Sequence, residues 1–429
     1  MSVLKKSLNL VKIISVTRNG FIVVHQRSQS AWAGIEAAPP DPIFGVTSAF
    51  RADKDSKKVL LGVGAYRDDA GKPWVLPCVR KAEEMIQSKQ YNHEYAVQSG
   101  VAEFAKLAAE LAFGKDACIL QHGLNLTVQS LSGTGALRLA GDFISKFYTH
   151  SKVIYVPTPT WAVHNVLFKI SGLDLKHYTY YDPKTIGLDF CGMCESIRNM
   201  PERAIILFHA RAHNPTGIDP SMEQWEEISN LCKERKLFVL FDMAYQGFAS
   251  GDLDSDAGAV RKFVDDGQQV ALCQSFSKNM GLYGERIGAC TLIAQSKEEQ
   301  AKLKSQMNFL IRHMYSNPPL YGARVAMHVM GDPELRCQWL EDIKTMSARI
   351  KTARQQLVDG LKKAGSQKDW AHILNQIGMF SFTGLTKEQV LKMTKEHHVY
   401  LTMNGRISVA SLGSNNVEYV ANAMHAVTK

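Results

Sequence analysis

Three short apolar runs, each leading into a polar residue, constrain the fold of this chain more than any other feature of its sequence. The runs cover residues 203–208, 237–241 and 270–273. Each has the length and composition of a buried β-strand, and they are followed by Asn214, Asp242 and Lys278. Ligands of open α/β sheets bind outside the carboxyl ends of the strands, so we expect these three side chains to share one edge of a sheet.

The stretch SFSKNMGLYGER at residues 275–286 places Lys278 among small hydroxyl residues, eight positions before Arg286. Partial desolvation or a neighbouring cation lowers the pKa of a lysine and makes it a nucleophile, and Arg286 is such a cation. A guanidinium and the hydroxyls of Ser275 and Ser277 are suitable groups for holding a phosphate dianion. The pattern predicts a lysine that forms an imine with an aldehyde cofactor beside a bound phosphate. On spacing alone, a surface lysine in a glycine-rich loop is the alternative.

The residues that follow the other two runs fit the same kind of cofactor. A buried aspartate such as Asp242 keeps a pyridine nitrogen protonated, so that the ring accepts the electrons of a carbanion. Tyr245 lies three residues further on, and Asn214 begins the turn sequence Asn-Pro-Thr-Gly. We expect both side chains to hydrogen-bond a phenolic oxygen of that ring.

Seven motifs carry a resemblance to a known family. They lie at residues 61–69, 132–136, 213–217, 241–248, 275–286, 314–319 and 405–408. With them, the chain from about residue 39 to residue 429 resembles the class I aminotransferases of the pyridoxal-phosphate fold type I family, and within it the aspartate aminotransferases. The resemblance implies an α/β fold, with a large domain whose mostly parallel sheet is wrapped by helices and a smaller α/β domain. It also implies pyridoxal 5'-phosphate as the cofactor.

The resemblance assigns catalytic roles residue by residue. The implied catalytic residues are Lys278, Asp242, Tyr245 and Trp161. Lys278 matches the lysine that forms a Schiff base with the cofactor and moves the proton between the substrate α-carbon and the cofactor. Asp242 matches the partner of the pyridinium nitrogen, and His164 and His209 match the residues that orient it. Trp161 matches the indole that stacks on the ring face.

The same resemblance implies the remaining ligands of the cofactor. Tyr245 and Asn214 match the residues that bind the ring oxygen. The implied phosphate ligands are Ser132, Gly133, Thr134, Ser275, Ser277 and Arg286. Tyr95 matches a residue that reaches the phosphate from the other subunit. A homodimer with shared active sites is therefore implied.

Two arginines match the residues that select the substrate. Arg406 corresponds to the clamp of the α-carboxylate, and Arg312 corresponds to the clamp of the distal carboxylate, contributed by the neighbouring subunit. Gly64, Trp161 and Asn214 complete the implied substrate site. An uncharged substrate would leave the Arg312 guanidinium buried and unpaired, at a cost of roughly 1–3 kcal/mol. The implied reaction is the reversible transfer of the amino group from L-aspartate to 2-oxoglutarate, giving oxaloacetate and L-glutamate.

Several positions around the implied pocket depart from the family pattern. They are Phe44, Ala96 to Ser99, Ala162, Val163, Arg211 and His313. Val163 replaces a polar residue near the dimer-related arginine, and Arg211 replaces a small residue and requires an acidic partner if it is buried. Two alternatives stay open: an aminotransferase with an aromatic or kynurenine-type substrate, and a weakly active paralogue that acts as a binding protein. The intact set of Lys278, Asp242 and the clamping arginines argues against the second alternative.

Residues 1–30 differ in composition from the rest of the chain. They contain Lys5, Lys6, Lys12, Arg18 and Arg27 but no Asp or Glu, with serines among Leu, Val and Ile. A basic, amphipathic and acid-poor leader is typical of a mitochondrial transit peptide. Without its five cations the formal net charge falls from +9 to +4, so most of the basicity belongs to this segment. We predict import into the mitochondrial matrix, and a disordered basic tail is the alternative.

The alternation of strand-like and helical stretches predicts the domain organisation. The predicted segments are a leader at 1–30, an arm to the partner subunit at 31–40, a small domain at 41–72 and 346–429, and a large cofactor-binding domain at 73–345. Within the small domain we expect a helix over 349–363 and short strands near 377–382 and 407–409.

Composition and spacing argue against several other classes of protein. No apolar run approaches the roughly 18 residues of a membrane span, and no basic stripe with interleaved aromatics indicates nucleic-acid binding. Cys191 and Cys194 form a single Cys-x-x-Cys pair, which favours free thiols over a zinc or redox site. His209 and His213 have a metal-ligand spacing for a helix, but the local prediction is strand and turn, so we predict no metal.

Overall fold

The computed structural model describes residues 12–16, 22–26, 30–38 and 44–429. Most of the predicted leader lies outside the described residues, as do Pro39, Pro40 and the side chain of Phe44. Within the leader, residues 12–16 and 22–26 pair as antiparallel strands, and residues 30–38 are exposed. None of the helices in the described ranges combines the length and the apolar character that a membrane span requires.

The described elements alternate between strands and helices along most of the chain. The strands are β1 Lys12–Val16, β2 Ile22–Gln26, β3 Val59–Leu60, β4 Asn125–Leu131, β5 Val153–Thr158, β6 Asp174–Thr179, β7 Tyr181–Asp182, β8 Gly187–Leu188, β9 Ile205–His209, β10 Phe238–Met243, β11 Val270–Ser275, β12 Ile287–Ile293, β13 Phe380–Phe382, β14 Val399–Tyr400 and β15 Arg406–Ser408. The helices are α1 Phe44–Ala52, α2 Pro77–Ser88, α3 Ala102–Phe113, α4 Cys118–Gln121, α5 Ser132–Phe147, α6 Ala162–Ile170, α7 Phe190–Arg198, α8 Met222–Glu234, α9 Leu253–Asp256, α10 Gly258–Asp265, α11 Lys297–Met314, α12 Tyr321–Gly331, α13 Pro333–Lys363, α14 Ala371–Asn375, α15 Lys387–His397 and α16 Val417–Thr428.

Seven strands form the central sheet, in the order β4-β12-β11-β10-β9-β5-β6. All neighbours from β11 to β6 are parallel, and only β12 runs antiparallel, to both β11 and β4. The three predicted strands are β9, β10 and β11, which lie side by side. Asp242 is paired with His209 of β9 and with Cys273 of β11. The predicted mostly parallel sheet of an α/β fold is thus confirmed.

Both faces of the central strands are covered, which explains their continuous apolar sequences. Strands β9 and β11 are buried at every residue. Because successive side chains of a strand point to opposite faces, Phe208 and Phe241 join a core with Trp225 of α8. Leu207 and Leu240 join a second core with α5 on the opposite face. The polar residues of these strands are therefore left at their ends.

Helix α13 begins earlier than the sequence predicts, at Pro333 instead of residue 349. Asp332 caps it, because its carboxylate accepts the backbone N–H groups of Glu334 and Leu335, both at 3.0 Å. Proline is favoured in the first helical turn because it has no N–H to leave unpaired. The Asp-Pro-Glu sequence is the start signal that the hydrophobic pattern alone does not reveal.

The short strands near the C-terminus bring distant segments together. Strand β13 begins at Phe380 and not near residue 377, because Gly378 adopts a φ of 76° that interrupts an extended backbone. Strand β3 pairs in parallel with β14, and the backbone N–H of Ser408 in β15 donates to the carbonyl of Leu61 at 2.7 Å. Residues 62–64 therefore lie directly beside Arg406.

Trp225 provides a test of the core that supports the central strands. Its side chain is buried, with ring centroids 5.4 Å from Phe208 and 6.1 Å from Phe263, and its Nε1 has no hydrogen-bond partner among the described residues. We expect Trp225→Ala to cost about 3–5 kcal/mol of unfolding free energy, because it leaves a large cavity.

The control is Trp225→Phe, which keeps an aromatic ring and removes the unpaired indole N–H. We expect it to cost less than about 1.5 kcal/mol. Calorimetric unfolding of the three proteins would rank them, and an equal loss of stability in both variants would contradict this account of the core.

Candidate active site

A cavity of about 220 Å³ lies at the carboxyl ends of the central strands. The predicted residues that line it are Gly64, Ser132, Gly133, Thr134, Trp161, Asn214, Asp242, Tyr245, Ser275, Ser277, Lys278, Arg286 and Arg406. They come from seven separate parts of the sequence. The parallel arrangement of β9, β10 and β11 brings Asn214, Asp242 and Lys278 together, as the strand pattern predicts.

Lys278 follows β11 and is partly buried in this cavity. Its Nζ lies 5.1 Å from the centroid of the Tyr245 ring. Burial lowers the pKa of Lys278 to about 8, with Arg286 and Arg406 lowering it and Asp242 opposing the shift. The side chain is therefore available as a neutral amine close to neutral pH, as a nucleophile or proton acceptor requires.

Asp242 is a buried carboxylate held by a short hydrogen-bond chain. His164 Nε2 lies 3.1 Å from Asp242 Oδ2, and Thr160 Oγ1 lies 2.9 Å from His164 Nδ1 and 3.1 Å from His209 Nε2. Burial by itself raises the pKa of Asp242, but the hydrogen bond from His164 and the charges of His164 and Lys278 bring that pKa below its ordinary value. Asp242 is thus ionised, and it can only accept hydrogen bonds.

The neighbouring His209 is neutral, because burial lowers its pKa to about 3. Its Nδ1 accepts the backbone N–H of Asn214 at 3.2 Å. His213 Nδ1 lies 2.7 Å from Thr216 Oγ1, and the His213 ring stacks on Tyr180 with 4.0 Å between the ring centroids. His209 therefore connects the Asp242 chain to the loop that carries Asn214.

Three serine hydroxyls converge where α5 begins. Ser132 Oγ lies 2.8 Å from Ser277 Oγ and 3.2 Å from Ser275 Oγ. Ser132 and Gly133 start a helix of 16 residues, whose free N–H groups favour an anion at this end. A side chain at Gly133 would place its Cβ only 3.0 Å from Ser275 Cβ. Arg286 also lines the cavity, so the donors form a cradle for a phosphate group.

Arg406 is a buried cation at the other end of the cavity, with 4% of its surface exposed. Its guanidinium donates to Asn214 Oδ1 at 3.1 Å and to the carbonyl of Gly62 at 2.7 Å. Its Nε has no hydrogen-bond partner among the described residues. Burial lowers the pKa of Arg406 to about 10, so it remains charged. The free N–H and the charge together suit a carboxylate ligand.

Two predicted residues do not reach the cavity within one chain. The side chain of Tyr95 is 84% exposed, and Arg312 lies exposed on α11, where it bonds Ser316. Neither residue lines the cavity. Their positions are consistent with roles toward a second subunit.

Arg211, one of the departures from the family pattern, has the acidic partners that its burial requires. Its Nε lies 3.1 Å from Asp256 Oδ1, and its Nη1 lies 3.7 Å from Asp219 Oδ2. Ala162 and Val163 form the first turn of α6, immediately after Trp161. His313 is exposed and packs on Phe309, with ring centroids 4.2 Å apart.

Sequence reasoning missed two aromatic residues of the cavity, Tyr283 and Phe380. The Phe380 ring lies beneath Arg406, with 4.1 Å between the ring centroid and Arg406 Cζ. A Cβ on Gly64 would lie 2.7 Å from Phe380 Cζ, which is why glycine is required there. Both phenylalanine and tyrosine are common in apolar runs and loops, so no sequence signal distinguishes these two.

The donor set matches the groups of pyridoxal phosphate. The serine cradle and Arg286 suit its phosphate, the ionised Asp242 suits a protonated ring nitrogen, and Lys278 suits its aldehyde. Asn214 Nδ2 and Tyr245 Oη lie 3.3 Å apart and can both face a ring oxygen. Arg406, a cation that also lines the cavity, suits a second, anionic ligand.

Comparisons with known proteins agree with this arrangement. The sequence matches the family described as aminotransferase class I and II over residues 56–424. It is 53% identical to a mitochondrial aspartate aminotransferase of Xenopus tropicalis over 406 residues, covering 95% of each chain. The structure is similar to that of the cytoplasmic aspartate aminotransferase of Saccharomyces cerevisiae, with a TM-score of 0.91, 45% identity, and coverage of 92% of this chain and 98% of that one.

A solved structure named for a different substrate has an equally high TM-score. The aromatic-amino-acid aminotransferase of Burkholderia pseudomallei, covalently bound to pyridoxal phosphate, gives a TM-score of 0.91 at 39% identity, over 94% of this chain and all of that one. The overall fold is therefore shared by enzymes named for different amino acids. The match over most of its length shows that this chain belongs to the class I and II aminotransferase family.

Proposed function

We propose that the chain is an aspartate aminotransferase that reversibly transfers the amino group of L-aspartate to 2-oxoglutarate. The observation that carries the proposal is the buried cation Arg406, which lines the same cavity as Lys278 and Asp242. A cation of this kind selects substrates with a carboxylate beside the reacting carbon. The names of the relatives, reported above, support aspartate as the amino donor.

The family depends on pyridoxal phosphate, which when bound supplies an electron sink and an aldehyde carbon that carries the amino group between the two substrates. In this chain Ser132, Ser275, Ser277 and Arg286 would hold its phosphate, and Asp242 would keep its ring nitrogen protonated. The hydrogen bond from His164 keeps Asp242 ionised and fixes its direction. Trp161 would cover one face of the ring.

Lys278 is the group that moves protons in this proposal. Because its pKa is lowered to about 8, the amine both accepts a proton from a substrate α-carbon and returns it readily near neutral pH. The carboxylate of Asp242 prevents a still larger shift. Arg406 and Asn214 orient the substrate α-carboxylate, so that the proton to be moved faces Lys278.

We also propose a homodimer in which each site uses Tyr95 and Arg312 of the partner subunit. Both residues are exposed, and neither lines the cavity of its own chain, although they match residues that serve a shared site. Several large apolar side chains are exposed as well: Trp32, Ile35, Val97, Phe309, Met314 and Tyr321. Exposed apolar groups of this kind favour burial against a second chain.

The predicted segments complete the proposal. A small domain at 41–72 and 346–429 would carry Arg406, and a large domain at 73–345 would carry Lys278. The pairing of β3 with β14 supports the joining of the two parts of the small domain. The basic residues 1–30 would serve as a transit peptide to the mitochondrial matrix, in keeping with the names of the mitochondrial relatives.

Replacing Lys278 removes the only group that we assign to proton movement. We expect Lys278→Ala to abolish amino transfer between L-aspartate and 2-oxoglutarate while leaving the thermal unfolding midpoint and the oligomeric state unchanged. Lys297→Ala, on the exposed start of α11, serves as the lysine control. Substantial turnover by the Lys278 variant would remove this residue from the mechanism.

The shared site is tested by mixing two inactive variants. Arg312→Asp should lose aspartate turnover and favour basic amino acids, because the charge of the distal clamp is reversed. When Arg312→Asp and Lys278→Ala subunits are refolded together, the mixed dimers contain one site with both native residues. We expect such a mixture to regain about a quarter of the native activity. If Arg312 serves its own chain, no activity returns.

The lowered pKa of Lys278 predicts the pH dependence of cofactor uptake. Only the neutral amine reacts with an aldehyde, so the rate at which cofactor-free protein takes up pyridoxal phosphate should rise through pH values of about 8 and then level off. Nα-acetyl-lysine amide, whose one amine titrates near about 10.4, is the control for the aldehyde itself. Arg406→Met should move the midpoint upward, because Arg406 lowers the pKa of Lys278. A midpoint that stays fixed would contradict the assigned cause.

A further inference from the structure

Arg354 is a buried arginine that is held by main-chain carbonyls. It lies in α13 with 3% of its surface exposed, and no acidic residue in the described ranges forms an ion pair with it. Its guanidinium donates instead to the main-chain carbonyls of Ile373 at 2.9 Å, Gly378 at 2.8 Å and Phe380 at 2.5 Å. Burial lowers the pKa of Arg354 to about 9, so it remains a cation at neutral pH.

A buried cation is costly to maintain, so its hydrogen bonds must compensate for lost hydration. All three acceptors belong to residues 373–380, a segment that leads from α14 into β13. This segment has little regular structure of its own, because Gly378 has a positive φ and the strand starts only at Phe380. Arg354 therefore fixes a segment that its own backbone pattern does not fix.

One end of the segment supports the Arg406 side chain. The face of the Phe380 ring lies 4.1 Å from Arg406 Cζ, within the range of a cation–π contact. The ring also meets Tyr245 edge-on at 5.9 Å and closes against Gly64. The direction of the Arg406 guanidinium thus depends on where the backbone of Phe380 is held.

The middle of the segment packs against the loop that carries Asn214. The backbone N–H of Ile377 donates to the carbonyl of Gly217 at 2.7 Å. Gly378 lies so close to Ala212 that an added Cβ would be 2.5 Å from Ala212 Cβ. Asn214 lies within this loop and accepts a hydrogen bond from Arg406. Arg406 and Asn214 are the two groups that we assign to the substrate α-carboxylate. Arg406 contacts residues 373–380 directly, and Asn214 belongs to the loop that packs against them.

We propose that Arg354 is a positioning residue for the α-carboxylate site, acting through residues 373–380 on Arg406 and Asn214. The inference rests on the proposed function, since it assigns the α-carboxylate to Arg406. It adds a residue in α13 that contacts neither substrate nor cofactor. Arg349, also in α13, donates to other main-chain carbonyls, those of Arg67, Ala410 and Leu412. Helix α13 therefore holds the surroundings of the site at two places, through Arg349 and through Arg354.

Loss of Arg354 should affect binding more than the chemical step. Without the guanidinium, three buried carbonyls lack this donor. The backbone of Phe380 keeps its pairing with Ser408 of β15 but loses a second restraint, so the aromatic support of Arg406 is weakened. Lys278 and Asp242 are held by other elements, β11, β10 and α6. A change in KM with little change in kcat is the kinetic sign of lost binding that is the same in the ground state and the transition state.

The experiment compares four variants of the full-length holoenzyme. Arg354→Met removes the donors, Arg354→Lys keeps a charge with fewer and differently placed donors, and Phe380→Leu removes the aromatic face directly. Arg235→Met is the matched control, because Arg235 also donates to a main-chain carbonyl, that of Met200 at 2.8 Å and 3.1 Å, away from the site. The measurements are KM and kcat for both substrates, calorimetric affinity for succinate, and the thermal midpoint.

For Arg354→Met we expect KM for L-aspartate and 2-oxoglutarate to rise by about tenfold, with kcat changed by less than about threefold. The affinity of Arg354→Met for succinate should fall by a similar factor. Phe380→Leu should show the same changes in KM and succinate affinity, and Arg354→Lys should show smaller ones. Arg235→Met should leave KM, kcat and succinate affinity unchanged. If Arg354→Met does not fold, Phe380→Leu and Arg354→Lys decide the question.

A lower thermal midpoint with unchanged KM and succinate affinity would overturn the proposal and leave Arg354 with a purely structural role. The proposal would also be overturned if Arg235→Met raised KM by the same factor as Arg354→Met. Failure of the proposed function is separate: the native enzyme would then not turn over L-aspartate. Succinate binding by the variants would still report on the α-carboxylate site in that case.

Discussion

The near-complete burial of three adjacent parallel strands is the constraint on which the rest of this structure depends. With both faces of β9, β10 and β11 covered by side chains and helices, a polar group has a place only where a strand ends. Parallel pairing then brings those ends to one edge, so that Asp242 lies between His209 and Cys273. The active site is a consequence of how the sheet is buried.

The cavity contains more positive than negative charge. Lys278, Arg286 and Arg406 line it, and Asp242 is the one carboxylate among the residues described there. Burial lowers the pKa of Lys278 and of Arg406, yet Arg406 remains charged, so the protein stores unfavourable repulsion that a phosphate and a dicarboxylate relieve. Binding of either anion should therefore stabilise the fold as well as fill the site.

The sequence predicts the central strands and the residues at their ends, because apolar runs and turn residues are local features. It does not predict Phe380 or Tyr283, whose roles arise from contacts between distant segments. The apolar pattern places the start of α13 too late, because the signal of that start is a capping residue, Asp332. A buried Arg211 requires an acidic partner that the sequence does not identify, and the structure supplies Asp256 at the end of α9. Local chemistry is visible in the sequence, whereas pairing between distant residues is not.

The single reversed strand, β12, has a consequence for the order in which the protein folds. Ser132 and Ser275 are separated by 143 positions in the sequence, and they meet only when β12 is inserted between β4 and β11. Gly288 permits this insertion, since a Cβ there would lie 2.6 Å from the carbonyl carbon of Ser132. Contacts over such long separations close large loops and form slowly. A growing chain that has not reached residue 293 thus has most of its sheet but cannot yet hold a phosphate.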